Sequence, residues 1–232
     1  MLAGIGAAAL FGVYTVTTTQ QTVQTQQLPG SSILFAEHSV TLVINDQTPE
    51  QIKRILGQAR NSTTGQIGSI TRIVPIVNVK NPDGAAGRRV ATFSEFMKAI
   101  GTQAPDDLLR ALGDSYFFGI HMVSNNVPVI IVPVLSYGRA FAGMLAWESS
   151  MNSDLVPIFS PVPTQTRDEN GLPVLRTFRD AVMNNYDIRE LRDDEGNIVL
   201  YYSFPNTQLL IIAESPYSFV EILSRLQASR SL

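Results

Sequence analysis

Tyr116-Phe117-Phe118-Gly119-Ile120-His121-Met122, the turn Ser124-Asn125-Asn126, and Val127-Pro128-Val129-Ile130-Ile131-Val132-Pro133-Val134-Leu135 decide how this chain is read. Two runs rich in β-branched and aromatic residues flank a polar turn, which predicts a β-hairpin. A helix is expected next, from about Gly138 to Trp147, with Phe141, Met144, Leu145 and Trp147 giving it a broad apolar surface. The same order recurs near the C-terminus. There Ile198–Phe204 and Gln208–Ala213 flank Pro205-Asn206-Thr207, and Phe219, Ile222, Leu223 and Leu226 mark the helix that follows. Ser218 and Glu221 make a capping box for that helix, with Ser215-Pro216 as a start one turn earlier. The recurrent unit is a hairpin followed by a helix.

Outward from the first hairpin, the segments between residues 39 and 113 have clear local signals. Ser39–Ile44 reads as a strand. Thr48, Pro49 and Gln51 form a helix start, with Ile52, Ile55, Leu56 and Ala59 on one face of a 3.6-residue period. Ile67–Val79 is strand-like, and Pro75 suggests an edge or a bulge. A Pro-Asp-Gly turn lies in Lys80–Gly87. Thr92 and Glu95 repeat the capping box before Phe93, Phe96, Met97 and Ile100. Pro105, Asp106 and Asp107 open a short helix that ends before Gly113. Pro157, Pro161, Pro163 and Pro173 make 152–173 an irregular connection. Hairpin links favour antiparallel or mixed pairing over a doubly wound parallel sheet, and one-sided helices need a sheet to lie on. The expected fold is α+β, with amphipathic helices on one face of the sheet and two similar hairpin–helix halves, 33–113 and 114–232.

At 232 residues with 44% hydrophobic content, the chain can bury a substantial core. A net charge of -3 without a basic stripe argues against nucleic-acid binding. The absence of cysteine removes disulfides, thiolate metal sites and Cys nucleophiles. Leu2–Val16 is uncharged and apolar, but shorter than the ~20 residues that span a hydrocarbon core. A Thr/Gln tract, Thr17–Gln27, follows it. The reading is a membrane-anchor segment at 1–17 and a solvated tether at 18–32. A signal peptide and a buried core element are the competing readings.

Neither Walker-type nor dinucleotide glycine spacing occurs, and Gly84 and Gly87 ahead of Arg88-Arg89 read as a hairpin turn. Asp193-Asp194-Glu195-Gly196-Asn197 lacks calcium-loop spacing and reads as a turn. His38 and His121 are the two histidines, and no zinc-protease pattern includes them. His121 shares a strand face with Phe117 and Gly119, which suits a satisfied histidine better than a base. Tyr116, Phe117, Phe118, Phe141 and Trp147 suit a core, with a pocket or partner surface as the functional alternative. Trp147, Tyr116 and His121 are therefore the candidate binding residues. No catalytic residue, metal or cofactor is predicted.

Three groups of residues also carry a resemblance. They are Ala104-Pro105-Asp106-Asp107-Leu108-Leu109-Arg110-Ala111-Leu112-Gly113-Asp114 with Phe118-Gly119-Ile120-His121; Ala140-Phe141-Ala142-Gly143-Met144-Leu145-Ala146-Trp147-Glu148 with Met151-Asn152 and Asp154-Leu155; and Gly196-Asn197-Ile198-Val199-Leu200 with Tyr202-Ser203-Phe204-Pro205. Together they resemble an uncharacterised family of single-pass membrane-anchored proteins of candidate-phyla bacteria, over roughly residues 90–228. The resemblance implies an anchor and an extracytoplasmic domain, and brings no activity or site residue with it. No basic segment precedes the apolar stretch, so the expectation includes a start upstream of Met1.

The functional expectation is a non-enzymatic, membrane-tethered, extracytoplasmic structural or protein-interaction module of the cell envelope, partnered by other envelope proteins or by itself. A small-molecule or peptide-binding domain is the first alternative, and a hydrolase using His121 as base is the second.

Overall fold

The computed structural model describes residues 32–80 and 84–230. In chain order these form β1 (His38–Val43), α1 (Pro49–Ser62), β2 (Ile70–Lys80), β3 (Ala86–Val90), α2 (Phe93–Ala99), α3 (Asp106–Ala111), β4 (Phe117–Met122), β5 (Asn126–Pro133), α4 (Tyr137–Leu155), β6 (Gln165–Arg167), β7 (Pro173–Leu175), β8 (Arg179–Met183), β9 (Tyr186–Arg192), β10 (Ile198–Asn206), β11 (Leu209–Ala213) and α5 (Pro216–Arg230). Nine of these strands make one mixed sheet, ordered β1-β2-β4-β5-β11-β10-β9-β8, with β3 also paired to β2. β6 and β7 form a separate small hairpin. The β1–β2 pair is parallel, and the other pairs are antiparallel. The α+β class with a mixed sheet is thus the architecture.

Both hairpin–helix units are present, β4–β5–α4 and β10–β11–α5, and their hairpins meet where β5 pairs β11 at the middle of the sheet. The expected halves 33–113 and 114–232 share this sheet, because β2 pairs β4 directly. Of the expected connection at 152–173, the stretch up to Leu155 belongs to α4, which continues two turns past Trp147. The apolar segment 1–17 lies outside the described residues, as does the tether except for Ser32. Among the described residues no helix is long and apolar enough to cross a membrane.

One expectation is corrected: the helices cover both faces of the sheet. Side chains alternate across a strand, so successive residues of β5 and β11 enter opposite layers. Ile130, Val132, Leu210 and Ile212 join Leu56, Phe96, Leu108, Met144 and Trp147 under α1 to α4. Val129, Ile131, Leu209 and Ile211 join Phe219 and Ile222 of α5 on the other side. Strands buried on both faces have unbroken apolar runs rather than alternation. Val129-Ile130-Ile131-Val132 and Leu209-Leu210-Ile211-Ile212 are such runs.

Local signals place the first three helices. Thr48 and Gln51 make a reciprocal capping box on α1, and Thr92 and Glu95 make one on α2. α5 starts at Pro216 rather than at a Ser218 cap, and the Ser218 amide donates to the Ser215 carbonyl at 3.0 Å. Pro75 sits inside the sheet instead of at its edge. Its missing N–H costs no ladder bond, because β4 pairs β2 through Ile70–Arg72 and β3 pairs it from Ile76 onward. The Pro75 carbonyl, in the gap between these partners, accepts from Ala91 at 2.9 Å.

α3 and α4 touch through Gly143. A Cβ there would stand 2.6 Å from Leu108 Cβ and 3.0 Å from its Cα. Gly143→Ala should therefore destabilise the fold by about 1–3 kcal/mol through overpacking, despite alanine's better helix propensity. Urea unfolding of the two proteins checks this, and an equal or more stable variant would show that the helices can move apart freely.

Candidate functional site

A groove of about 700 Å³ runs between the first two turns of α4 and the strands β8, β9 and β10. Tyr137 and Phe141 of α4 form one wall. β10 contributes Tyr202 and Phe204, β9 contributes Asp187 and Arg189, and β8 contributes Asp180 and Val182. The register explains why these side chains converge. Asp180 is paired with Arg189 and Val182 with Asp187, so the four project from the same side of the β8–β9 ribbon.

The aromatic wall is a ring cluster. Tyr137 and Phe141 stack with centroids 6.0 Å apart, and Phe204 meets Tyr137 edge-on at 5.4 Å. Phe141 and Phe204 are 6.0 Å apart. Tyr137 and Phe141 remain exposed, so part of this apolar surface faces the groove and solvent.

The floor is polar and tightly bonded. Arg189 donates through Nε and Nη2 to the two carboxylate oxygens of Glu148, both at 2.8 Å, a bidentate geometry. Tyr202 donates its hydroxyl to Glu148 Oε1 at 2.7 Å. The remaining Arg189 arm donates to Asp180 at 2.9 Å. The hydrogen bonds from Arg189 to Glu148 hold the guanidinium further in its charged form. Burial, then the Glu148 carboxylate, raises the pKa of the Tyr202 hydroxyl above its ordinary value. Asp180 and Asp187 line the groove together with Arg189, so the lining carries two carboxylates to one guanidinium beside the aromatic wall.

None of the candidate residues Trp147, Tyr116 and His121 lines this groove. Trp147 is buried in the first layer, where Nε1 donates to Asp154 Oδ2 at 2.7 Å. Asp154 also accepts from the Gln103 amide and from Ser150. Tyr116 shares that layer, with ring centroids 5.4 Å from Phe93 and 5.5 Å from Phe96. Its buried hydroxyl has no hydrogen-bond partner among the described residues, and burial pushes its pKa well up.

His121 lies in the opposite layer, where its Nδ1 shares a 2.9 Å hydrogen bond with Ser218 Oγ. This pair has the residue types of a nucleophile and base, but exposures of 3% and 0% seal it from any substrate. Burial lowers the His121 pKa; Glu221 and Glu37 oppose that effect and Arg225 adds to it. The structure therefore brings Tyr116 and Trp147 into one core and separates both from His121.

Arg89, on β3, and Asp193, in the acidic turn, have internal partners. Arg89 donates to both carboxylate oxygens of Glu95, at 2.7 and 2.6 Å, and these bonds lower the Glu95 pKa to about 2. Asp193 accepts from the amide and side chain of Asn197, which closes the acidic turn. Among the described residues no group of three or more His, Cys, Asp or Glu is placed to hold a metal ion. No family model, curated protein or solved structure matches the chain.

The groove residues are spread over 137–141 and 180–205, with Glu148 bonded to Arg189 and Tyr202 among them, and their meeting depends on the β8–β9–β10 register. One local signal did exist: Asn184-Asn185 between two extended runs marks a two-residue hairpin turn, and both asparagines have positive φ. That turn sets the pairing of Asp180 with Arg189.

Two measurements test these assignments. Glu148→Ala strands Arg189 and the Tyr202 hydroxyl and should cost about 2–4 kcal/mol in urea, whereas Asp180→Asn should leave the midpoint in place because Asp180 is 90% exposed. Equal effects would show that the Glu148 network carries no special stability. His121 is held neutral in the fold, so the unfolded chain takes up its proton first as pH falls. Its contribution is complete above about pH 6.5 and declines below it toward the lowered folded value. His121→Asn should flatten the stability profile below about pH 6.5. An unchanged profile would remove His121 from that role.

Proposed function

We propose that this chain is a non-catalytic protein-interaction module, held at a membrane by Leu2–Val16 with the α+β domain extracytoplasmic, and that it works through the groove beside β8. The observation that carries the reading is the partly exposed Tyr137–Phe141–Phe204 cluster next to the carboxylates Asp180 and Asp187 on the strand pair at the sheet's end. Partly exposed aromatic rings give large contact area at low entropic cost, and they sit here on a rigid helix and a rigid strand.

The apolar stretch, the Thr/Gln tract and the family resemblance support the tether and the envelope setting. A small-molecule site is the second reading. The groove has the volume for one, but it opens to solvent beside the exposed side chains of Tyr137, Phe141 and Val182, while drug-sized ligands are usually enclosed over most of their surface. An extended polypeptide suits an open groove better. Hydrolysis by His121 and Ser218 is disfavoured because no substrate atom can reach the sealed pair.

Photo-crosslinking amino acids placed at Phe141 and Val182 of the full-length chain in cells should give a discrete adduct, while one at Tyr217, on the opposite layer, should not. Adducts at all three positions, or at Tyr217 alone, would sink the groove as the working surface. The tether is tested separately: the full-length chain should stay in the membrane pellet after a carbonate wash, and its recovery in the soluble fraction would refute the anchor.

A further inference from the structure

β8 is the last strand of the sheet, and its partner among the described strands is β9 alone. The strands are joined by Asn184-Asn185, with Met183 paired to Tyr186. A two-residue turn of this kind closes on a pair that exchanges backbone hydrogen bonds. The backbone groups of Met183, Ala181 and Arg179 therefore face β9, and those of Val182 and Asp180 point outward from the sheet. Such a row of donors and acceptors is a template for another strand.

Natural edges are commonly blunted by proline, inward-pointing charge or a covering segment. β8 has no proline, and Val182, its fourth residue, is 70% exposed. The side chains of Val182 and Asp180 project to the layer that holds the groove. A strand added to β8 would thus send every second side chain over the groove's outer rim, about 5 Å from Asp180 and Val182.

Charge selects what that strand carries. Arg189 is already engaged by Glu148 through two bonds, so Asp180 adds a second carboxylate to a satisfied guanidinium. Asp187 is exposed beside them. A Lys or Arg on the incoming strand would meet Asp180 and Asp187. An apolar neighbour two residues along would cover Val182. An acidic strand would meet like charge directly opposite, which destabilises pairing.

We propose that the β8 edge takes an extended basic segment of a partner protein as an added strand, with a Lys or Arg side chain over the groove between Asp180 and Asp187 and main-chain bonds to Val182 and Asp180. This assignment rests on the interaction-module reading and specifies its partner's chemistry.

Fluorescence anisotropy of the full-length chain in non-ionic detergent tests it, with a labelled short peptide of alternating Lys and Val as probe. The Lys–Val peptide should bind and weaken with added salt. A Glu–Val peptide, and a Lys–Val peptide with alternate amides N-methylated, should each bind at least about tenfold more weakly. Val182→Pro removes an outward N–H without touching the β8–β9 ladder and should weaken binding about tenfold, with Val182→Ala retaining most of it. The Asp180→Asn, Asp187→Asn double variant should also lose binding while keeping the fold. Equal binding of Lys–Val and Glu–Val peptides, or of the N-methylated and parent peptides, would overturn the proposal. So would a dimer of the full chain that Val182→Pro dissolves, because the edge's occupant would then be a second copy. If no Lys–Val peptide binds but the Phe141 and Val182 crosslinks persist, the basic-strand assignment fails and the groove remains the working surface.

Discussion

Val129 to Pro133 lie against Ala213 to Leu209 in antiparallel register, with Ile131 directly opposite Ile211. This pairing joins the two hairpins, and each residue in it except Pro133 belongs to one of two cores. Ile130 and Ile212 support the layer containing α1 to α4, while Ile131 and Ile211 support the layer under α5. Burying an aliphatic side chain of this size contributes roughly 1.5–3 kcal/mol. A one-residue slip would exchange the two sets of side chains and mismatch both layers at once. The hydrogen-bonded register and the packing on both faces therefore hold each other in place.

Two arginines tie the outer layers to this centre. Arg60 of α1 donates to the Asn126 carbonyl at the start of β5, to the Ile158 carbonyl, to Ser160 and to Glu214 after β11. Glu214 shows the cost of the arrangement, since burial raises its pKa even with Arg60 at 3.0 Å. On the other face, Arg225 of α5 donates to the Phe35 and Gly68 carbonyls and pairs with Glu37 and Glu221. Removing either arginine would leave buried or half-buried acceptors without donors, which is more expensive than the net strength of the bonds lost. The groove floor uses the same device, with Arg189 joining β9 to Glu148 of α4. That bond holds the aromatic wall and the edge ribbon in one rigid frame.

Local chemistry made much of the fold legible. Thr48–Gln51 and Thr92–Glu95 start helices as their spacing predicts, and both hairpin–helix units fall where the apolar runs and turns put them. The placement of α5 on the second face is encoded in the unbroken apolar runs Val129–Val132 and Leu209–Ile212, because a strand apolar on both sides needs a cover on both sides. Pro75 suggested an edge because a ladder donor is missing, but β2 changes partners at that point and needs no donor there. Trp147 and Tyr116 have the residue types of binding anchors, and their burial is a property of the packed molecule that residue type does not reveal.

Sequence alone determined the helices with capping boxes, the hairpin turns, the apolar strands and hence the α+β class, because these depend on interactions between residues a few positions apart. Tertiary structure decided which face each helix covers, which strand becomes the edge, and which residues form the groove. Asp180, Arg189 and Glu148 are bonded together, yet Glu148 lies 41 positions from Arg189. No local pattern encodes that distance; it follows from β8–β9 register and from the way α4 packs on the sheet. His121 and Ser218, 97 positions apart, make the same point in the opposite layer. Their contact exists because α5 folds back over β4, and the packing that creates it also seals it from solvent.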